Sequence, residues 1–133
     1  MAGTAVLVED NLMFATRVTP GLQRLGYQVR TVAGGMGAVD RIALADPALL
    51  VVSLAGRGAA DLIRAVRGHA ALASLPVLGY AGHVERELLQ AGRDAGADLV
   101  APNSAVVKAL PEVLDKLRRR RETGDELDEW DED

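Results

Sequence analysis

Glu9 and Asp10 stand side by side directly after the apolar run Thr4-Ala5-Val6-Leu7-Val8. Adjacent carboxylates repel each other unless a cation or hydrogen-bond donors compensate them. Two roles are open to such a pair. It can lend oxygens to magnesium, which wants about six of them in near-octahedral array. Or it is structural, Asp10 capping the helix that follows while Glu9 points to solvent. Ser53 is the next polar group of interest, closing the apolar run Leu49-Leu50-Val51-Val52. A hydroxyl is a weak nucleophile without a positioned base. The histidine near the same region is His83, so a Ser53–His83–Asp10 hydrolase can be drawn. No Gly-x-Ser-x-Gly elbow surrounds Ser53, however, and a space-filling, locally bonded serine is the plainer reading. A serine at a strand end is also a poor substrate for an external kinase. Gly34-Gly35-Met36-Gly37 lacks the spacing of a phosphate-cradling loop and reads as a flexible turn.

Strand-like runs alternate with helix-like segments, which predicts stacked βαβ units and a parallel sheet. Strands are expected at about Thr4–Val8, Tyr27–Val32, Leu49–Ser53, Val77–Ala81 and Leu99–Ala101, the second at an edge because of its polar content. Asn11 or Asp10 can cap the first helix, whose inward stripe is Phe14, Val18, Leu22 and Leu25, with Gly26 stopping it. A third helix turns Leu62, Ile63 and Val66 inward. A fourth is expected from His83 to Ala95, burying Val84, Leu88, Ala91 and Ala95. The last buries Leu110, Leu114 and Leu117, carries Pro111 in its first turn and ends in Arg118–Arg121. Together these predict an α/β, flavodoxin-like, doubly wound (βα)5 fold with a five-stranded parallel sheet. In that class ligands bind outside the carboxyl ends of the strands. Glu9, Asp10, Ser53, Ala81 and Asn103 lie at or just after such ends, so they are expected to surround one shallow pocket.

A chain of 133 residues has the length of one domain. It has no cysteine, which excludes disulfides and cysteine-based zinc sites, and only His69 and His83, which excludes an all-histidine metal site. No apolar run is long enough to span a membrane and no signal pattern opens the chain, so a cytoplasmic protein is expected. Residues 1–121 carry all 15 basic residues against 11 acids, whereas residues 122–133 carry eight acids and no base. That switch marks a folded body, 1–121, and an acidic tail, 122–133, expected to be disordered. Within the tail, Leu127 and Trp130 are spaced to form an apolar pair that docks in a basic, apolar-floored groove, on a partner or on the chain's own arginines. No helix-turn-helix, aromatic platform or basic stripe accompanies the arginine run, so nucleic-acid binding is not expected.

The order of strand ends over about residues 4–119 resembles the receiver domain of bacterial response regulators. In that family the acidic pair binds magnesium and an aspartate on the next matched strand accepts a phosphoryl group. A Ser or Thr on the following strand and a final Lys complete the site. The matching positions here are Glu9 and Asp10, then Ser53, Ala81 and Asn103; a short gap would bring Ala101-Pro102 to the last of them. Val100 stands where the family has a switch aromatic. The resemblance therefore implies a pseudo-receiver of two-component signalling: not an enzyme, without metal or cofactor, independent of phosphorylation and acting on another signalling protein. It also implies pairing through helix four, strand five and helix five, a face carrying Glu85, Arg86, Arg93, Asp98, Lys108 and Glu112. The alternative is a small-molecule or nucleotide sensor using the crevice over Ser53 and the Gly34–Gly37 turn.

Overall fold

The computed structural model describes residues 2–124; Leu127 and Trp130 lie outside the described residues. The strands are β1 (Gly3–Val8), β2 (Tyr27–Val32), β3 (Leu49–Ser53), β4 (Val77–Ala81) and β5 (Leu99–Pro102). The helices are α1 (Leu12–Arg24), α2 (Ala38–Ala45), α3 (Ala59–Gly68), α4 (Arg86–Ala95), α5 (Asn103–Lys108) and α6 (Leu110–Thr123). The strands form one five-stranded sheet in the order β2-β1-β3-β4-β5, every pair parallel. This is the flavodoxin-like doubly wound order. β3 and β4 are buried along their whole length, as strands covered by helices on both faces must be. β2 pairs on one side only and alternates in burial, which accounts for its polar residues.

Side-chain alternation sorts the interior into two layers. Ala5, Leu7, Leu49, Val51, Leu78 and Tyr80 pack with α1, α5 and α6. Val6, Val8, Leu50, Val52, Val77 and Ala81 pack with α2, α3 and α4.

Two expectations about helices need correction. α4 begins at Arg86, not His83, and Val84 is 76% exposed. A turn intervenes, in which Glu85 accepts the Gly82 N–H through its side chain and donates its own N–H to the Gly82 carbonyl. The buried stripe of α4 is accordingly Leu89, Gly92 and Ala95, with Leu88 and Ala91 only half-buried. The single last helix is in fact two. α5 ends at Ala109, whose φ of −137° breaks the spiral, and α6 restarts at Leu110. Pro111 explains the break: it has no N–H to continue the α5 ladder, but sits without penalty in a new first turn.

Asp98 corrects the proposed pairing face. Its Oδ2 accepts from Arg67 Nη2, Arg121 Nη1 and the Val77 N–H, each at 2.8 Å. Asp98 is thereby committed to tying α3, β4 and α6 together.

Candidate functional site

β1 delivers Glu9 to the carboxyl end of the sheet on the same face as Leu7, against α1. Glu9 is only 7% exposed. A carboxylate buried this far must be satisfied by donors, and both of its oxygens are. The Tyr80 hydroxyl donates to Oε1 at 2.6 Å, and the Asn11 N–H donates to Oε2 at 2.9 Å. Tyr80 lies opposite Ser53 in the β3–β4 register, which sets the Ser53 hydroxyl beside this pair. The result is a buried bond from β4 to the end of β1, Tyr80 to Glu9, that passes over the end of β3 at Ser53.

Tyr80 is 1% exposed, its ring 5.5 Å from that of Phe14 and its β5 neighbour the small Ala101. Burial pushes its phenol far above the ordinary tyrosine range. The hydrogen bond to Glu9 and the charge of that carboxylate push the same way, and Ser53 offsets a little. Tyr80 is therefore a permanent neutral donor. It was not anticipated from sequence, though one signal was available. A phenol inside an aliphatic run bounded by Pro76 and Gly82 needs a buried partner, and Glu9 is a carboxylate needing a donor.

Asp10 parts company with Glu9. It is exposed, and its Oδ1 accepts the Gly34 N–H at 3.3 Å, pinning the turn after β2. Capping of α1 falls to Asn11, whose Oδ1 accepts the Phe14 N–H at 3.2 Å. The structural role expected for the pair is not observed: Glu9 does not face solvent and Asp10 does not cap the helix.

The five strand-end positions share one end of the sheet but not one pocket. Asp10 and Ser53 line a crevice with Val8, Gly34, Arg57 and Leu62, whose volume is about 10 Å³. That is room for about one water, not a metabolite. Ala81 is buried in the same layer as Val8 and Leu62 but does not line the crevice, and Asn103 is the half-buried first residue of α5. The last strand position before α5 is thus Ala101-Pro102, and no lysine stands at either alternative. His83 is exposed in the turn before α4 while Ser53 is buried at the end of β3, and no hydrogen bond joins them, so a Ser53–His83 pair is not assembled.

The residues present do not fit a magnesium ion. Glu9 has both oxygens engaged, Ser53 is neutral, and Asp10 remains as a lone exposed carboxylate. Among the described residues no cluster of three carboxylates or imidazoles could hold a metal. None of the described helices is long and apolar enough to cross a membrane.

Solved structures share this architecture closely. The chain is similar to a candidate response regulator from Chloroflexus aurantiacus, at 25% identity and a TM-score of 0.72 over 84% of this chain and 97% of that one. It is similar to the chemotaxis response regulator CheY4 of Vibrio cholerae, at 24% identity and TM-score 0.69, covering 85% and 98% of the two chains. A third is the receiver domain of a signal transduction histidine kinase from Syntrophus aciditrophicus, at 22% identity and TM-score 0.75, covering 94% and 96%. No protein-family model and no curated protein matches the sequence. The fold is that of receiver domains.

Proposed function

We propose that this receiver-fold chain is a signalling module that works by protein–protein contact and takes no part in aspartyl phosphotransfer. One observation carries the reading: the Glu9 carboxylate is consumed internally, by Tyr80 and Asn11, beside a strand end that bears Ser53. Phosphoryl transfer is catalysed by placing positive charge against the oxygens of the moving group. At this end of the sheet the phenol opposite Ser53 is neutral and already committed to Glu9. An unassisted serine hydroxyl there has no base to take its proton. The partner is another signalling protein, engaged through the protein surface and not through a ligand held in the crevice.

The test is incubation of the full chain with magnesium and a small-molecule phosphoryl donor, followed by intact-mass measurement. No mass increment is expected, either in the native chain or in Ser53→Asp, because Tyr80 and the missing lysine remain. Stoichiometric incorporation by the native chain would sink the reading. Incorporation by Ser53→Asp alone would show that the rest of the site is still competent, and that the loss is one residue deep.

A further inference from the structure

At the opposite end of the sheet, a groove of about 560 Å³ runs between the last turn of α1 and the length of α6. Leu25 and Tyr27 form one wall and Pro111, Leu114 and Arg118 the other, over the sheet end at Leu49. Its apolar lining is open to solvent. Leu25 is one of the few large hydrophobic side chains on the exposed surface. Tyr27, also in the wall, has no side-chain hydrogen bond among the described residues and so has a donor to offer. The α6 positions that line the groove recur every three or four residues from Pro111 to Glu122, a run of about 16 Å at the rise of an α-helix.

The end of α6 lies next to it. α6 ends at Thr123, and Gly124 caps it in the left-handed conformation with φ 70°. Glu122, two residues earlier, is the last residue of the groove wall. The nine residues that follow, 125–133, hold seven acids, no base, Leu127 and the chain's single tryptophan, Trp130. Nine residues reach up to about 30 Å when extended, well beyond the length of the groove. The groove wall also carries two cations, Arg118 and Arg121, beside Asp115 and Glu122, and residues 1–121 as a whole carry a net +4. Arg118 is paired with Asp115 and Glu122, but all three are largely exposed, and such pairs exchange partners at little cost.

We propose that this groove is the docking site of the chain's own C-terminal segment, residues 125–133, with Leu127 and Trp130 seated on its apolar walls and the flanking acids facing the α6 arginines. The segment then covers an apolar face of the domain from the same chain. A partner that uses this face must displace it.

Trp130 reports on the proposal directly, since no other tryptophan contributes. In the full chain its emission is expected to be blue-shifted, with acrylamide quenching several-fold weaker than in Leu127→Ser. Leu25→Glu, which places a like charge in the groove wall, should raise the quenching to that same level. High salt should raise it part of the way by screening the charge contribution. Leu127→Ser changes none of the described residues, so its result does not depend on whether Leu25→Glu folds. Solvent-like emission in the native chain, unchanged by either substitution, would overturn the proposal. Protection that grows with protein concentration would overturn it too, placing the segment on a second copy instead.

Discussion

In Tyr80→Phe, Oε1 of Glu9 loses a 2.6 Å donor at a site that is only 7% exposed. Leaving a buried carboxylate partly unsatisfied costs about 1–3 kcal/mol, to be read from urea denaturation; Ser53→Ala should cost less, about 1 kcal/mol. The phenol also gives a pH signature. Its folded pKa is raised, so its contribution is complete below the ordinary tyrosine value of about 10 and is lost as pH climbs above it. Only the unfolded chain then releases the proton. Stability should fall above about pH 10, by up to ~1.4 kcal/mol per pH unit for each such tyrosine. Tyr27, also raised by burial, adds to the slope. Tyr80→Phe should make it shallower, and a folded chain should show no phenolate absorbance near that pH. An unchanged slope in the variant would remove Tyr80 from the site. Glu9, Asp10 and Ser53 were legible in the sequence because strand ends are. Tyr80 was not, because its bond to Glu9 spans 71 positions and depends on the β3–β4 register.

The elements are held by two local devices that periodicity does not reveal. Leu54 is wedged between β4 and α4, where a Cβ at Gly92 would lie 2.8 Å from its Cδ1 and one at Gly79 would lie 3.0 Å from its Cδ2. Gly92→Ala is therefore expected to overpack this contact and cost about 1–3 kcal/mol, despite alanine's better helix propensity. A neutral or stabilising result would mean that α4 can move away from the sheet. Asp98 is the second device. Asp98→Asn removes the charge that holds Arg67 and Arg121, both partly buried, and should lower stability by about 2 kcal/mol. Hydrogen exchange should quicken in the last turn of α6 more than in α1. The strands and most helices were readable from apolar spacing. The start of α4 and the α5–α6 break were not, because each is set by a turn bond or by one proline inside an apparently continuous stripe.

At the scale of the molecule, the sheet order follows from alternating strand and helix patterns, and so was available before any coordinates. The function of its carboxyl end was only half available. The absence of an aspartate and a lysine could be read from Ser53 and from either Asn103 or Ala101-Pro102. That a tyrosine had taken up the remaining buried carboxylate could not. The two ends of the sheet thus differ: one is closed by Glu9, Tyr80 and Ser53, and the other is an open apolar groove beside the acidic terminus. The proposed function accordingly places signalling on the surfaces of the domain and gives the closed end a role in stability. Magnesium titration of the native chain, followed through the amide resonances of Glu9, Asp10 and Ser53, tests that assignment most directly. The expected result is no saturable shift through the millimolar range, with Asp10 alone showing weak, salt-like drift. Saturable binding with sub-millimolar affinity, moving Glu9 and Ser53 together, would mean that the Tyr80 bond yields to the cation and that the end of the sheet is a working site.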